Sequence, residues 1–272
     1  MKIKFFKEDI GYIYRKKINK MKFVFDLDGT LCFNGVSIDQ DIILALKKLE
    51  EYNHEVIFAS ARPIRDLLPL IPQFRNNKLI GGNGSIVADK GEISVVKLID
   101  ENSFEQIQKI IDKHQLSYII DDKFDYAASV DPSNKIFKQL DPDKLAQKIQ
   151  IAEIKQPIKI ILLDAPSIVE NELAELSSDI SVISHANEGN FDITSGGINK
   201  FTTLNKVFEI DDYIAFGNDH NDIELLKNAK SAYLIGDPEN AKKLFLENQV
   251  NIVPKDSKEV AKTIMSLGKE YE

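Results

Sequence analysis

The hydrophobic residues of this chain fall into short apolar runs that alternate with amphipathic segments. The runs Phe23–Phe25, Val56–Ala59 and Leu79–Ile80 predict strands. Between them, Asp39–Tyr52 carries apolar residues at helical spacing and Pro63–Leu68 begins with a proline, so both predict helices. Short apolar strands that alternate with helices are typical of a parallel sheet covered on both faces. The pattern predicts an α/β fold with a doubly wound, mostly parallel sheet.

The pattern changes between residues 85 and 185, where β-hairpins and helices are predicted. The predicted elements are hairpins over Ile86–Val96 and Tyr118–Val130, helices over Ser103–His114, Asp141–Ile151 and Ile168–Leu176, and strands over Pro157–Leu163 and Ile180–Ser184. Hairpins with packed helices suggest an α+β insert. We therefore expect residues 21–84 and 186–272 to form one α/β core, interrupted by an α+β domain over residues 85–185.

The α/β alternation returns after Phe191. The predicted elements are helices over Lys200–Phe208, Asp222–Asn228, Pro238–Leu246 and Ser257–Leu267, and strands over Tyr213–Phe216, Ala232–Ile235 and Asn251–Val253. The helix over Asp39–Tyr52 is predicted to open with a capping box, Ser37-x-x-Gln40.

Residues 1–20 differ in composition from the rest of the chain. They hold seven Lys/Arg and two Asp/Glu, and a second methionine, Met21, comes directly after them. The segment is a basic arm, a short added strand or the product of an upstream start codon. We expect a dispensable extension.

Composition and charge narrow the class of protein. The chain has 272 residues, 43% hydrophobic and 29% charged, which is typical of a folded globular protein. A net charge of −8 argues against a nucleic-acid or anionic-membrane surface. The single cysteine, Cys32, excludes an intrachain disulfide, and no apolar stretch has the length of a membrane span. We expect a cytoplasmic protein.

Two carboxylates separated by one residue, Asp26 and Asp28, come directly after the first predicted strand. Ligands of open parallel sheets bind at the carboxyl ends of the strands, so this is a suitable position for a site. Neighbouring carboxylates repel each other unless a cation or a shared proton is present, and hard oxygen ligands favour Mg²⁺. The alternative interpretation is a surface turn, because Asp and Gly are common turn residues.

Three further signals follow along the chain. Ser60 could hold a phosphoryl oxygen with nearby amides, or serve as a helix N-cap. Lys200 could neutralise a phosphoryl group, although most lysines are merely solvated. The loop from Gly217 offers Asn218, Asp219 and Asp222 as oxygen ligands, while a helix cap explains Asp222 nearly as well.

The order of these signals resembles the haloacid dehalogenase superfamily of phosphatases, and most closely its Cof-type branch. The segment Asp26-Leu27-Asp28-Gly29-Thr30 matches the first motif of that family, and Ser60 with Arg62 is similar to the second, with Ala61 where Gly is usual. Asn83-Gly84 is similar to the Asn-Gly that precedes the cap, and Lys200 fits the third motif. The resemblance covers Met21 to the C-terminus. It implies a Rossmann-like core with a large inserted α+β cap that selects the substrate.

The fourth motif departs from the family. The family usually has Asp directly after the Gly, where this chain has Asn218, and then Gly, where it has Asp219; Asn221 and Asp222 match the later part of the motif. Either Asn218 or Asp219 could complete a metal site. The loss of one negative ligand is expected to weaken metal affinity.

The resemblance implies a mechanism and a set of site residues. Asp26 would attack phosphorus and form an aspartyl-phosphate, and Asp28 would act first as general acid and then as base. The implied catalytic residues are Asp26, Asp28, Ser60 and Lys200. The implied substrate-binding residues are Leu27, Ala61, Arg62, Asn83 and Asn221, with Arg62 either contacting substrate or pairing with a core acid. The implied Mg²⁺ ligands are Asp26, Asp28, Asn218, Asp219 and Asp222.

We therefore expect a Mg²⁺-dependent phosphatase acting on a small phosphorylated metabolite, such as a sugar phosphate, a nucleotide or a phosphorylated cofactor. The alternatives are a phosphomutase of the same superfamily and a non-catalytic metabolite- or partner-binding protein on the same fold. No nucleic-acid or membrane partner is expected, and the sequence leaves a monomer and a homodimer equally open.

Overall fold

The computed structural model describes residues 20–134, 136–176, 178–185, 189–244 and 250–272. The strands are β1 (Lys22–Phe25), β2 (Glu55–Ala59), β3 (Lys78–Gly81), β4 (Ile86–Asp89), β5 (Glu92–Val95), β6 (Ser117–Asp121), β7 (Tyr126–Ser129), β8 (Lys159–Leu163), β9 (Ile180–His185), β10 (Asn190–Ser195), β11 (Ile214–Gly217), β12 (Ser231–Ile235) and β13 (Asn251–Val253). The α-helices are α1 (Gln40–Glu51), α2 (Ile64–Leu67), α3 (Glu101–His114), α4 (Ile168–Ala174), α5 (Lys200–Phe208), α6 (Ile223–Lys227), α7 (Pro238–Leu244) and α8 (Ser257–Glu270). Residues 1–19 of the predicted extension and the predicted end of the helix over Pro238–Leu246 lie outside the described residues.

The larger sheet of the described residues has eight strands, in the order β13-β12-β11-β1-β2-β3-β4-β5. The strands from β13 to β3 are parallel, and β4 and β5 join antiparallel at one edge. From β1 the chain moves to β2 and β3 on one side, whereas β11 lies on its other side. The strand order therefore changes direction at β1, and a crevice opens beyond the carboxyl ends of β1 and β11. Open α/β sheets bind their ligands at such a point.

Alternate residues of β1 pack into two different cores, which is why this strand is apolar from Phe23 to Phe25. Phe23 and Phe25 join the core beneath α1 and α8, whereas Val24 joins the core that includes Leu204 of α5 and Leu225 of α6. All five side chains are completely buried. The predicted doubly wound, mostly parallel α/β sheet is confirmed.

Within the described ranges, a second sheet has five strands in the order β7-β6-β8-β10-β9 and is antiparallel. Helices α3 and α4 cover one of its faces, and the other face turns towards the crevice of the larger sheet. The strands of this sheet are not the same as those predicted for the insert over residues 85–185. The hairpin β4–β5 pairs with β3 in the larger sheet, and β10, which was not predicted, belongs to the smaller sheet.

Two local predictions were wrong. The helix expected over Asp141–Ile151 does not form, because Asp141 has a left-handed backbone (φ 46°) and its carboxylate accepts the main-chain N–H groups of Leu145 and Ala146 in a turn. The capping box expected at Ser37 is also absent. Helix α1 begins instead after Asp39, whose side chain accepts the N–H of Asp41.

Buried polar contacts join the two sheets beside the crevice. Arg65 of α2 is 1% exposed and pairs with Asp66 next to it and with Asp121 of β6. Lys159 of β8 donates to the main-chain oxygen of Ala61, in the loop after β2. These contacts fix the inner face of the smaller sheet above the crevice. In the described part of the chain, no helix combines the length and apolar character needed to cross a membrane.

Candidate active site

A buried cluster of opposite charges lies at the carboxyl end of β1. Asp26, which is 4% exposed, comes directly after β1, and its main-chain N–H donates to Phe216 of the neighbouring β11. Lys200, the first residue of α5, donates to Asp26 Oδ1 at 2.6 Å and to Asp222 Oδ1 at 2.7 Å. Burial, followed by the negative charge of Asp222, raises the pKa of Asp26 to about 7, although Lys200 opposes this shift.

The same two carboxylates determine the charge state of Lys200. Burial alone would lower the pKa of Lys200, but the charges of Asp222 and Asp26 raise it above its ordinary range, so the side chain is an ammonium. The structure therefore brings Asp26 and Lys200 together, as the sequence predicted.

The turn after Asp26 is shaped by Gly29. This residue has a φ of +83°, and a Cβ built on it would collide with the side-chain amide of Asn218. Thr30, the next residue, donates from its hydroxyl to Asp26 Oδ2 at 2.9 Å. The sequence analysis did not single out Thr30, although it lies in the same five-residue motif. Glycine thus permits the close approach of the two loops that surround Asp26.

Asn218, and not Asp219, reaches this centre from the loop after β11. The side-chain amide of Asn218 lies against Asp26 and Thr30, while Asp219 is exposed and its carboxylate caps the N–H of His220. The role of Asp222 as a metal ligand stays a prediction. One of its carboxylate oxygens accepts the N–H groups of Asn218 and Asp219 and the other accepts Lys200, so it anchors the loop and balances the lysine.

The oxygen atoms near Asn218 suit a hard cation. One terminal atom of its amide lies 2.9 Å from the main-chain oxygen of Asp28 and 3.1 Å from Asp26 Oδ2. If this atom is nitrogen, it donates to both oxygens; if the amide turns, three oxygens converge. Oxygen ligands at right angles around Mg²⁺ lie about 3 Å apart, because each is about 2.1 Å from the metal. In the described residues no three acidic, His or Cys side chains gather as a metal site, so the fit depends on these mixed oxygens.

Asp28 lies at the mouth of the site and is held by Arg62. Its side chain is 41% exposed, and its two oxygens accept Nη2 and Nε of Arg62 at 2.6 and 2.7 Å. Arg62 also donates to Gly35 and to Gln139 of the insert. Burial alone would lower the pKa of Arg62, but the hydrogen bond to Asp28 and the charge of Asp28 raise it above its ordinary value. Of the two predicted roles for Arg62, the structure contains the pairing with an acid.

Ser60 lies beneath this pair and is completely buried. Its Oγ accepts the N–H of Arg62 at 3.1 Å, and its main-chain oxygen accepts the N–H of Asn83. Helix α2 is preceded by Pro63, so Ser60 is not a helix N-cap.

The other predicted substrate-binding residues surround the centre in different ways. Asn83 is buried, with a φ of 53°, and accepts a hydrogen bond from Asn221 Nδ2 at 3.1 Å. Ala61 lines the space above Asp28. The side chain of Leu27 is completely buried in the core, so only its main chain can face a ligand.

Two adjoining cavities open above these residues. The first, which we name the acidic cleft, has a volume of about 500 Å³ and is lined by Asp26, Asn83, Asn218 and the β9 segment Val182–Ser184. The second, which we name the insert cavity, has a volume of about 440 Å³ and is lined on one side by Arg62 and on the other by strands of the smaller sheet.

Two lining residues, Lys159 and Asp192, were missed by the sequence analysis. They form a buried ion pair of 2.7 Å. A lysine inside the otherwise apolar run Ile158–Leu163 was the available signal for Lys159. Asp192 had none, because its strand was not predicted.

The parallel sheet ends in a buried Asp–Lys pair, and a second carboxylate lies beneath an inserted sheet. This arrangement is that of an α/β enzyme whose reactive group is an aspartate. The sequence profile of the haloacid dehalogenase-like hydrolases matches residues 23–262. The chain belongs to this family. The predicted superfamily and the predicted hydrolase class are confirmed.

One curated relative and several solved structures are similar to this chain. A Metamycoplasma hominis protein that carries the name of a phosphatase in the upp 3′ region is 26% identical over 91% of this chain and 96% of its own. The fold is similar to that of a haloacid dehalogenase-like hydrolase from Bacteroides thetaiotaomicron, with a TM-score of 0.74, 20% identity, and coverage of 91% of this chain and 99% of that one. It is also similar to the phosphatase BT1666 from the same organism, with a TM-score of 0.71, 18% identity, and coverage of 96% and 99%.

Proposed function

We propose that this protein is a Mg²⁺-dependent phosphatase that hydrolyses a small phosphorylated metabolite through an aspartyl-phosphate. The observation that carries the proposal is the environment of Asp26. Its carboxylate is held by Lys200 and Thr30 at the floor of the acidic cleft, and Asp28 lies two residues further at the boundary with the insert cavity. A nucleophile thus lies beside a cation that can balance phosphoryl charge, and a candidate acid lies where the leaving group departs.

In the first step, an oxygen of Asp26 forms a bond to phosphorus while the bond between phosphorus and the ester oxygen breaks. Asp28 gives its proton to that oxygen, and the product leaves as an alcohol. Because both oxygens of Asp28 accept hydrogen bonds from Arg62, Asp28 must leave this partner and take a proton from solvent before it acts as the acid.

In the second step, Asp28 takes a proton from a water molecule whose oxygen attacks phosphorus. The bond from phosphorus to Asp26 then breaks, inorganic phosphate leaves and both aspartates return to their starting states. Lys200, fixed by Asp222, would stabilise the negative charge of the phosphoryl group in both steps.

The oxygens that would hold Mg²⁺ are those of the Asp26 carboxylate, the Asp28 main chain and the Asn218 amide. When bound, the cation would reduce the repulsion between the anionic nucleophile and the anionic phosphoryl group. Asn218 would contribute a neutral oxygen where the family usually has a carboxylate.

The test is phosphate release from a panel of small phosphate esters, with Mg²⁺ and with EDTA. The wild-type protein should release phosphate only with the metal and without a bisphosphate activator, which a phosphomutase would require. Asp26→Asn should release none, whereas Asp212→Asn, at an exposed position, should be unchanged. Unaltered turnover by purified Asp26→Asn would refute the mechanism.

A further inference from the structure

We propose that the insert cavity binds the leaving-group alcohol of the substrate and that this alcohol carries an aromatic or heteroaromatic ring. The inference rests on the proposed function, because it assigns the part of the ester that remains after phosphate is removed. The cavity volume of about 440 Å³ lies within the usual range of small-molecule sites. It suits a leaving group of the size of a single ring with substituents.

The position of the cavity relative to Asp28 determines which part of the ester enters it. Three residues, Asp28, Ala61 and Asp192, line both the acidic cleft and the insert cavity. With phosphorus beside Asp26, the ester oxygen lies at this boundary, within the region that Asp28 lines. The alcohol beyond that oxygen therefore extends into the insert cavity.

The wall of the insert cavity contains a group of aliphatic side chains. Ile119 of β6 lies opposite Ile161 of β8, and Ile161 lies opposite Asp192 of β10, so these residues form one row across the inner face of the smaller sheet. Ile136 and Leu140, from the loop after β7, continue the apolar surface. An aliphatic surface of this extent favours the face of a ring, because burying apolar area stabilises the complex.

The charged residues of the cavity are already paired within the protein. Asp66 and Asp121 share Arg65, and Lys159 binds both Asp192 and the main-chain oxygen of the Ala61 loop. Each hydroxyl of a sugar or a polyol would need its own partner, since an unpaired buried polar group is costly. A ring with few polar substituents avoids that cost.

Two uncharged polar residues also line the cavity, and each accepts a hydrogen bond within the protein: Gln139 from Arg62, and Asn190 from the main-chain N–H of Asp164. A charged pair lies at the boundary with the acidic cleft. The Lys159–Asp192 pair lies at the same end as Ala61, where a substituent next to the ester bond would be found. We expect this pair to bind a single hydroxyl, amino or ring-nitrogen group of the leaving alcohol.

The experiment compares phosphate esters of primary alcohols, which have similar leaving groups and differ in the body of the alcohol. Benzyl phosphate and pyridylmethyl phosphate represent ring alcohols, and sorbitol 6-phosphate and glucose 6-phosphate represent polyols and sugars. With Mg²⁺ present, kcat/KM should be at least about tenfold higher for the ring esters. Equal or higher values for the sorbitol and glucose esters would overturn the inference.

A pair of variants locates the effect. Ile161→Gln places an amide among the aliphatic side chains of the wall and should lower the ratio of kcat/KM, benzyl over sorbitol ester, by about tenfold. Ile168→Gln, at a position of α4 that is 49% exposed, should leave the ratio unchanged. Leu140→Gln provides a second test of the wall should Ile161→Gln fold poorly. A ratio unaffected by both wall variants would contradict the assignment of the cavity.

Failure of the inference and failure of the proposed function give different results. Preferential hydrolysis of the sorbitol and glucose esters rejects the ring and leaves a phosphatase. If no ester is hydrolysed, the proposed function fails, and equilibrium titration of the same four esters still tests the cavity. Tighter binding of the ring esters would then support its apolar selectivity, and tighter binding of the polyol esters would reject it.

Discussion

Replacement of Lys200 tests the electrostatics of the site most directly. Its side chain is 1% exposed and pairs with Asp26 and Asp222, whose side chains are 5% and 0% exposed. Lys200→Met keeps an unbranched side chain and leaves two buried carboxylates without their cation. Breaking a buried pair in this way costs about 3–5 kcal/mol of the free energy of unfolding. Because each kcal/mol changes Tm by about 2–4 °C in proteins of this size, Tm should fall by about 6–20 °C.

The assay is urea unfolding monitored by circular dichroism, in EDTA so that no metal replaces the lysine. Lys206→Met, at an exposed position of the same helix, is the control and should change stability little. In an Asp26→Asn background the cost of Lys200→Met should be smaller by about 1–3 kcal/mol, because one of the two charges is gone.

The loss of unfolding free energy caused by Lys200→Met should also depend on pH. The pKa of Asp26 is raised to about 7 from an ordinary value of 3.8, so the folded protein retains a proton that the unfolded chain releases, and the contribution of this carboxyl to stability falls as pH rises between these values. Without Lys200 the pKa should rise further and the loss should continue to higher pH. Lys200→Met should therefore be more damaging at about pH 8 than at about pH 6.

A cost equal to that of the Lys206 control would refute this account of the site. So would an equal cost in the wild-type and Asp26→Asn backgrounds, because it would mean that the lysine does not offset the charge of Asp26.

Other expectations concern metal affinity, loop geometry and packing. Asn218→Asp should bind Mg²⁺ at least about tenfold more tightly by titration calorimetry, because a carboxylate replaces a neutral ligand; unchanged affinity would exclude this residue from the metal site. Gly29→Ala and Gly91→Ala should each lose about 1–2 kcal/mol of unfolding free energy in urea, since both glycines have a positive φ. Only Gly29→Ala should also lose activity, because its Cβ would collide with the amide of Asn218. Equal activity losses would contradict the role of that contact. His54→Ala should destabilise by about 1–3 kcal/mol, because both ring nitrogens bond the buried main chain, whereas exposed His220→Ala should not; similar Tm values for these two variants would refute the account.

The sequence predicted correctly those features for which the local hydrophobic pattern agrees with the burial of the side chains in the structure. The residues of β1 from Phe23 to Phe25 are apolar because their side chains alternate between two cores, and this pattern placed Asp26 at a strand end beside a crevice. Lys200 was expected at the site because the order of motifs resembled a known family, and the structure brings its ammonium to 2.6 Å from Asp26.

Two of the predictions that failed involve residues whose environment comes from distant parts of the chain. Asp141–Ile151 was predicted as a helix from its spacing, yet the main-chain N–H of Asp141 donates to the buried carboxylate of Asp66, which lies far away in sequence. The hairpin β4–β5 was assigned to the insert because hairpins are typical of antiparallel domains, but its pairing with β3 makes it the edge of the larger sheet.

The sequence by itself determined the α/β alternation, the end of β1 as the site and the pair of carboxylates there, because each depends on the hydrophobic pattern and the direction of the chain. Only the tertiary structure decided that Asn218 and not Asp219 meets Asp26, that Asp222 holds Lys200, and that the Lys159–Asp192 pair faces the cavity. These relations depend on which loops and strands pack against one another. Spacing along the chain does not encode such contacts, since they are fixed by the burial of side chains that lie far apart in sequence.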